Sequence, residues 1–406
     1  MALRCYKERA DLSIYSFKES PTWERGKDMM NITPKKRMLT AYKGEKPDRV
    51  PVAPEFWYYI PAKVLGVDMI QLEREIPHWQ ALQKTFKHYS CEGWGIVQPQ
   101  PKYDLFPINR QLQRIGEGRY EEKGIIHTPK GKLTARTLYD KKEPSWKIER
   151  FIKNFQNDWP FYEKFVLREA NEYDWSAVQE ALDKIGDDYL LEVLTGFTFI
   201  DFIGWEREGG LEQTILDIVD HERYLFELQK RYIHWITEFT RAIFSKTTAE
   251  SVNIPCIWST LSLVSPQMWR KWDKPVIEAV VNAAHQMGGL VHLHFHGNCM
   301  EVIEDFAQLG IDCVCPFQRP PGGDVTSLRK VKKKLAGRVT FSGNVHTVET
   351  LIRGTSVDVE KEIREILEVW ESQPRLILGT GDQVGKETSE DNIYTMVETA
   401  KKFGKY

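Results

Sequence analysis

From residue 35 onward, short runs rich in β-branched and apolar residues alternate with longer stretches whose apolar residues recur at helical spacing. The runs fall at 50–56, 94–99, 189–194, 252–258, 290–295, 311–316, 338–342 and 375–378. The first is announced by the turn-forming Lys46-Pro47-Asp48. Amphipathic stretches at 222–244, 267–286, 300–309, 359–371 and 392–403 lie between or beyond the later runs. Eight strands, most followed by a helix, predict an α/β fold: a single (β/α)8 TIM-like barrel over residues 35–406. An open doubly wound sheet shares the alternation, and the count of eight favours the barrel.

One segment breaks the rhythm. Residues 118–138 place β-branched side chains on both sides of a Pro129-Lys130-Gly131 turn, predicting a β-hairpin inserted after the second strand. The whole insertion spans about 104–145. Loops that follow barrel strands lie on the catalytic face, so the hairpin is expected over the pocket mouth. Residues 1–34 carry little periodicity and read as an N-terminal arm packed on the body or on a partner subunit, the second case implying a homodimer.

Charge and composition narrow the function. Lys and Arg number 56 against 58 Asp and Glu, a net charge of −2, whereas nucleic acid or an anionic membrane calls for a basic excess. The first 20 residues lack the apolar core of a signal peptide, and no run reaches the roughly 18 apolar residues of a membrane span. The 6 cysteines follow no framework spacing, which implies reduced thiols and a cytoplasmic protein. The 13 tryptophans fit either an aromatic-lined pocket or ordinary core, the commoner use.

Barrel chemistry sits at the C-terminal ends of the strands. There this sequence offers Glu55 with Trp57 and Tyr58, Glu192 with Phe197, Trp258, the segment from Val291 to Gly297, Cys313 and Cys315, His346, and Asp382. His292, His294 and His296 alternate along one strand and so share a side of it. Two imidazoles at a strand end make a metal site when another strand supplies a third ligand, and Asp382 is the natural candidate. Hydrogen-bonded core, or substrate contacts without metal, is the alternative. The stretch Gly379 to Lys386 has the wrong spacing for a phosphate loop, and Glu387 stands where a hydroxyl is needed. Cys313-x-Cys315 reads as core rather than ligand. Cys299, at a helix start, is placed for a lowered pKa, with no base to pair with.

Several segments together resemble the uroporphyrinogen decarboxylase superfamily. They are Lys36-Arg37-Met38, the stretch from Gly44 to Val52, Val264-Ser265-Pro266, residues 292–297 with Asn298, Gly310-Ile311-Asp312, Ser342-Gly343-Asn344-Val345, and Glu390-Asp391-Asn392-Ile393. The resemblance covers nearly the whole chain and implies a distorted (β/α)8 barrel. True uroporphyrinogen decarboxylases carry an arginine-rich RQAGR segment after the first strand to grip carboxylates. Here the stretch from Glu55 to Ala62 is aromatic and holds no arginine.

The resemblance is closer to the branch of zinc methyltransferases that exchange methyl groups with a corrinoid protein. Their ligand pattern, H-x-C on the fifth strand and a cysteine after the eighth, places His294 at the histidine, His296 at the first cysteine and Asp382 near the second. Zinc held by these nitrogen and carboxylate donors is harder and more electrophilic than a thiolate site, suited to polarising a leaving group. The implied activity is transfer of a methyl group from a small methylated donor, a methoxylated aromatic, to the corrinoid of a separate protein. No D-x-H-x-x-G motif is present for a corrinoid of the chain's own. His346, where the family has aspartate, and Glu55 are the expected proton donors, or His346 caps the helix that begins there. Trp57, Tyr58, Glu192, Phe197 and Trp258 are the expected substrate contacts. A decarboxylase or other lyase on the same barrel, and a non-catalytic binding member, are the alternatives.

Overall fold

The computed structural model describes residues 32–103 and 108–406. The arm expected at 1–34 lies almost wholly outside the described residues. Eight parallel strands form one curled sheet: β1 (Val52–Ala53), β2 (Trp94–Val97), β3 (Leu190–Leu194), β4 (Ser251–Cys256), β5 (Leu290–Phe295), β6 (Cys313–Pro316), β7 (Thr340–Val345) and β8 (Leu376–Thr380). Their order, β1-β8-β7-β6-β5-β4-β3-β2, is that of a singly wound barrel. β4, β6, β7 and β8 are buried at every position, as strands covered on both faces must be.

The sequence predicts a closed barrel, but β1 and β2, at the two ends of the order, share no ladder among the described residues. Pro51 and Pro54 bracket β1 and have no N–H to give, which holds it to two residues. A carboxylate bridges the seam instead. Glu92, just before β2, accepts from Val52 N–H at 2.9 Å and pairs with Arg37 and Arg49 at 2.7 and 2.6 Å.

The N-terminal end of the barrel is plugged by α1 (Pro34–Tyr42), capped by the Thr33 hydroxyl. Met38, Leu39, Ala41 and Tyr42 pack with the inward residues Ala53, Trp94, Leu190, Cys313, Cys315 and Ile377. Thr340, at the start of β7, donates to the Ala41 carbonyl at 2.7 Å and ties the plug in place. With this end filled, only the C-terminal face is left for a site.

Between β2 and β3 stands a four-stranded antiparallel sheet, Ile108–Gly116, Arg119–Thr128, Gly131–Asp140 and Trp146–Glu149. It is larger than the hairpin expected over 118–138. Glu143, in the connection between the last two strands of this sheet, accepts from Tyr59, at the start of the helix Tyr59–Leu65 that follows β1, at 2.7 Å and from Lys386, after β8, at 2.6 Å. Ile152 N–H, just past the sheet, donates to the Glu206 carbonyl after β3 at 2.9 Å. All three contacts lie with segments that leave the C-terminal ends of barrel strands. No helix among the described residues is long and apolar enough to cross a membrane.

Candidate active site

Strand alternation sends Val291, Leu293 and Phe295 outward into the helical layer and turns His292 and His294 into the barrel. The parallel register sets His292 beside Cys313 and His294 beside Cys315, and on the other side sets His292 beside Asn253. The barrel interior is therefore polar in three tiers. Deepest are Glu192, Asn253 and His292, all essentially inaccessible. In the middle lie His294, Cys315 and Glu55, also buried. At the mouth stand His296 and Asp382, with side chains 24% and 37% exposed.

Hydrogen bonds run from tier to tier. His292 Nδ1 lies 2.8 Å from Glu192 Oε2, and its Nε2 lies 3.0 Å from Cys315 Sγ. The same sulfur is 3.0 Å from His294 Nδ1. His294 Nε2 faces Glu55 Oε1 at 3.9 Å, and the Trp57 indole N–H donates to that oxygen at 2.5 Å. His294 and His296 meet edge to face with ring centroids 4.4 Å apart, and His296 Nδ1 lies 4.0 Å from Asp382 Oδ2. Gln318 donates to Asp382 Oδ2 at 2.6 Å and accepts from Gly297 N–H at 2.5 Å, which fixes the mouth. Gly297 is obligatory there: its φ is +70°, and a Cβ would fall 2.5 Å from Ser262 Oγ.

The charges follow from this packing. Burial, reinforced by the Asp382 charge, pushes the Glu55 carboxyl from its ordinary 4.5 up to about 8, against the opposing Trp57 hydrogen bond. Burial and the two neighbouring imidazoles hold His294 well below its usual value. Burial lowers His296 too, and Asp382 and Gln318 oppose it. The Cys315 thiol is pushed up by burial and by surrounding carboxylates, Glu55 foremost. Among the described residues the ion-pair partners of Glu55 and Asp382 are His294 and His296, not Lys or Arg.

Such a cluster of neutral imidazoles and carboxylates without a cationic partner fits a divalent cation. Two triads bring one ligand atom each to within 4.8 Å of one another: Glu55 with His294 and Cys315, and Glu55 with His296 and Asp382. Nitrogen, oxygen and sulfur donors all suit zinc. The expected trio of His294, His296 and Asp382 is thus divided between the triads, and Glu55 is the member common to both. Cys315, assigned to core from its spacing, is in contact with two of the histidines.

Two aromatic groups follow the first, third and fourth barrel strands. Trp57 stacks on His78 at 5.2 Å, with Tyr58 beside the same imidazole. Phe197, Trp205 and Trp258 form a stacked row with centroids 4.8 and 5.1 Å apart, and the Arg150 guanidinium lies over Trp258 at 5.6 Å. Trp205, which carries no signal of its own in the sequence, is the middle ring. Asp201 shapes the Trp258 loop by accepting from the N–H groups of Ile257, Trp258 and Ser259 at 2.5, 3.1 and 2.9 Å. Burial raises this carboxyl to about 6 despite those bonds.

Three expected roles fall elsewhere. Glu192 was expected on the substrate, but it is fully buried in the deepest tier and bound to His292. His346 caps the turn Thr347–Ile352, its Nδ1 accepting from Val348 and Glu349 N–H at 3.3 and 3.2 Å and its Nε2 lying 3.1 Å from the Pro320 carbonyl. Both ring nitrogens are thus occupied by backbone, Nδ1 as the cap and Nε2 against the Pro320 loop. Cys299 precedes the helix Ile303–Leu309 rather than opening it, and burial drives its thiol up, not down.

Residues 206–403 match the family model described as Uroporphyrinogen decarboxylase (URO-D), a span that takes in the motifs read from Val264 onward but not those at 36–52. No curated protein matches the sequence. Among solved structures, a methyltransferase from Methanosarcina mazei has 18% identity and a TM-score of 0.59, covering 92% of this chain and 99% of that one. This likeness shows a shared fold. More distant are a 3-keto-D-glucoside 4-epimerase from E. coli (11% identity, TM-score 0.34, 57% of this chain and 85% of that one) and a D-psicose 3-epimerase from Clostridium cellulolyticum H10 (10%, 0.30, 61% and 84%).

Proposed function

We propose that this chain, which carries the uroporphyrinogen decarboxylase family model over residues 206–403, is a methyltransferase that demethylates a methoxylated aromatic in favour of a corrinoid borne by a separate protein. The observation that carries the reading is Glu55: a buried acid shared by two ligand triads and held by a tryptophan at the aromatic mouth of the barrel. The absence of arginine from Glu55 to Ala62 speaks against a polycarboxylate substrate, and the fold shared with a methyltransferase supports methyl transfer.

In the reaction the C–O bond of the donor breaks, a new bond joins the methyl carbon to the reduced corrinoid, and the oxygen departs needing a proton. Glu55, raised to about 8, still holds its proton at neutral pH and is the general acid. The Trp57 N–H fixes the orientation of that carboxyl. Trp57, Tyr58, Phe197 and Trp258 give the donor a flat apolar bed, and the inserted sheet, tied by Glu143 to Tyr59 and Lys386, limits water at the rim. With Glu55 keeping its proton, His294, His296 and Asp382 would be the residues to hold a zinc ion, which would supply Lewis acidity toward the leaving oxygen.

The test is spectroscopic. Cob(I)alamin and the purified protein are offered methoxybenzoates and methylamines, and formation of methylcobalamin is followed. If no donor reacts while uroporphyrinogen loses carbon dioxide, methyl transfer is the wrong reading and decarboxylation the right one.

A further inference from the structure

The inserted sheet ends at Glu149, and the residues just beyond it are stitched to the segment that follows β3. Arg150 N–H donates to Glu208 Oε2 at 2.7 Å, Ile152 N–H to the Glu206 carbonyl at 2.9 Å, and Glu208 N–H back to the Ile152 carbonyl at 2.8 Å. These bonds pin the Arg150 backbone. Its side chain is fixed twice more: Nε–H donates to the Trp205 carbonyl at 3.2 Å, and the guanidinium lies over the Trp258 ring at 5.6 Å.

What this half-buried guanidinium lacks is an anion. Lys147 pairs with Glu206, Lys386 with Glu143 at 2.6 Å and Arg319 with Glu362 at 3.1 Å. Arg150 pairs with no carboxylate among the described residues, and Glu208 takes its backbone N–H instead. Neither Nη atom has an acceptor among those residues either. A guanidinium stacked on an aromatic face keeps its edge for a carboxylate, which it grips through two parallel N–H···O bonds.

The Trp258 loop places this fork beside the mouth. That loop runs along the segment from His296 to Asn298: the Cys256 carbonyl accepts from His296 N–H at 3.2 Å, and Leu261 N–H donates to the Asn298 carbonyl at 3.3 Å. Gly297 is pressed against it so closely that a Cβ would fall 2.7 Å from Thr260 Oγ1. Trp258 stands two residues past Cys256, and two residues span at most about 7 Å.

We propose that Arg150 is a specificity-determining residue that binds the carboxylate of an aromatic acid, so that the donor is a methoxybenzoate-type anion rather than a neutral ether or an amine. This deepens the function proposed above and rests on it for calling the bound acid a methyl donor, but not for the binding. One fork takes one carboxylate and leaves the ring of the acid to the row of Phe197, Trp205 and Trp258. A substrate with many carboxylates would need several such forks.

The test is isothermal titration calorimetry of the full chain, without corrinoid, against para-methoxybenzoate and its neutral counterpart para-methoxybenzamide. The acid should bind at least about tenfold more tightly, and more weakly as salt rises. Arg150→Gln should weaken the acid by about 10- to 100-fold while changing the amide far less, which also shows that the variant is folded. Arg150→Lys, a point charge without the fork, should recover only part of the preference. Equal affinities for acid and amide in the wild type would overturn the proposal, as would binding of neither. A preference that survives Arg150→Gln would place the carboxylate elsewhere, at a bound metal for instance, and overturn it too. Acid binding that depends on Arg150 without methylcobalamin formation would sink methyl transfer and leave the anion site standing. Methyl transfer from acid and amide alike would do the reverse.

Discussion

Replacing Glu55 by Gln should make the protein more stable and inactive, with a stability gain that depends on pH. The folded protein holds the Glu55 proton until about pH 8, whereas the unfolded chain releases it near 4.5. Between these values the unfolded state binds fewer protons than the folded state, so stability falls as pH rises across the window. At about 1.4 kcal/mol per unit, the loss reaches roughly 3 kcal/mol at pH 7 and on the order of 5 kcal/mol above pH 8. Glutamine keeps the shape, does not titrate, and its carbonyl can still accept from the Trp57 indole. Glu55→Gln should therefore match wild type near pH 4.5 and exceed it progressively above. For a chain of this size, with an unfolding entropy near 0.85 kcal/mol per degree, the gain at pH 7 corresponds to about 4 °C. Thermal unfolding of metal-free protein from pH 5 to 8.5 reads this directly. A difference that stays constant with pH, or a Glu55→Gln protein less stable than wild type at pH 8, would refute the account of Glu55.

Other substitutions separate binding from chemistry and structure from both. His294→Ala should lower kcat for methyl transfer by about two orders of magnitude or more while changing KM little, as steady-state kinetics will show, because it removes a group at the reacting centre. Asp201→Asn should raise KM for aromatic donors more than it lowers kcat: it leaves one acceptor oxygen for the three N–H groups that shape the Trp258 loop, at about 1–3 kcal/mol in thermal stability. Glu92→Gln should cost about 3–5 kcal/mol, seen as a lowered melting temperature, by leaving Arg37 and Arg49 without their shared carboxylate.

Much of the fold is legible in the chain because each barrel strand is a short apolar run with its own turn signals. The run 290–295 coincides with β5, and the other seven differ mainly at their ends. The largest difference is at 50–56, where two prolines leave a two-residue strand that hydrophobicity alone makes longer. His294, His296 and Asp382 could be named because ligand-type residues at strand ends carry meaning in a barrel. Cys315 could not: its two histidine partners lie 21 and 23 positions away, and only the parallel register of β5 and β6 brings them together. His346 shows the converse, since a histidine after a strand reads as a proton donor until both its nitrogens are found on backbone. Its alternative as a helix cap was already open in the sequence.

Two buried glutamates show what burial by itself leaves undecided. Glu92 and Glu55 are 1% and 6% exposed, and each follows or precedes a short barrel strand. Glu92 stands at the plugged end with two guanidinium groups and a backbone N–H, so its charge is compensated and the seam of the barrel closes around it. Glu55 stands at the open end with neutral imidazoles, a thiol and a second carboxylate, so its charge is opposed and its proton retained. Neutralising the first should destabilise the protein and neutralising the second should stabilise it. Opposite signs from the same substitution would mark Glu92 as structural and Glu55 as a group kept for chemistry, because a fold retains an uncompensated buried acid only where something other than stability depends on it.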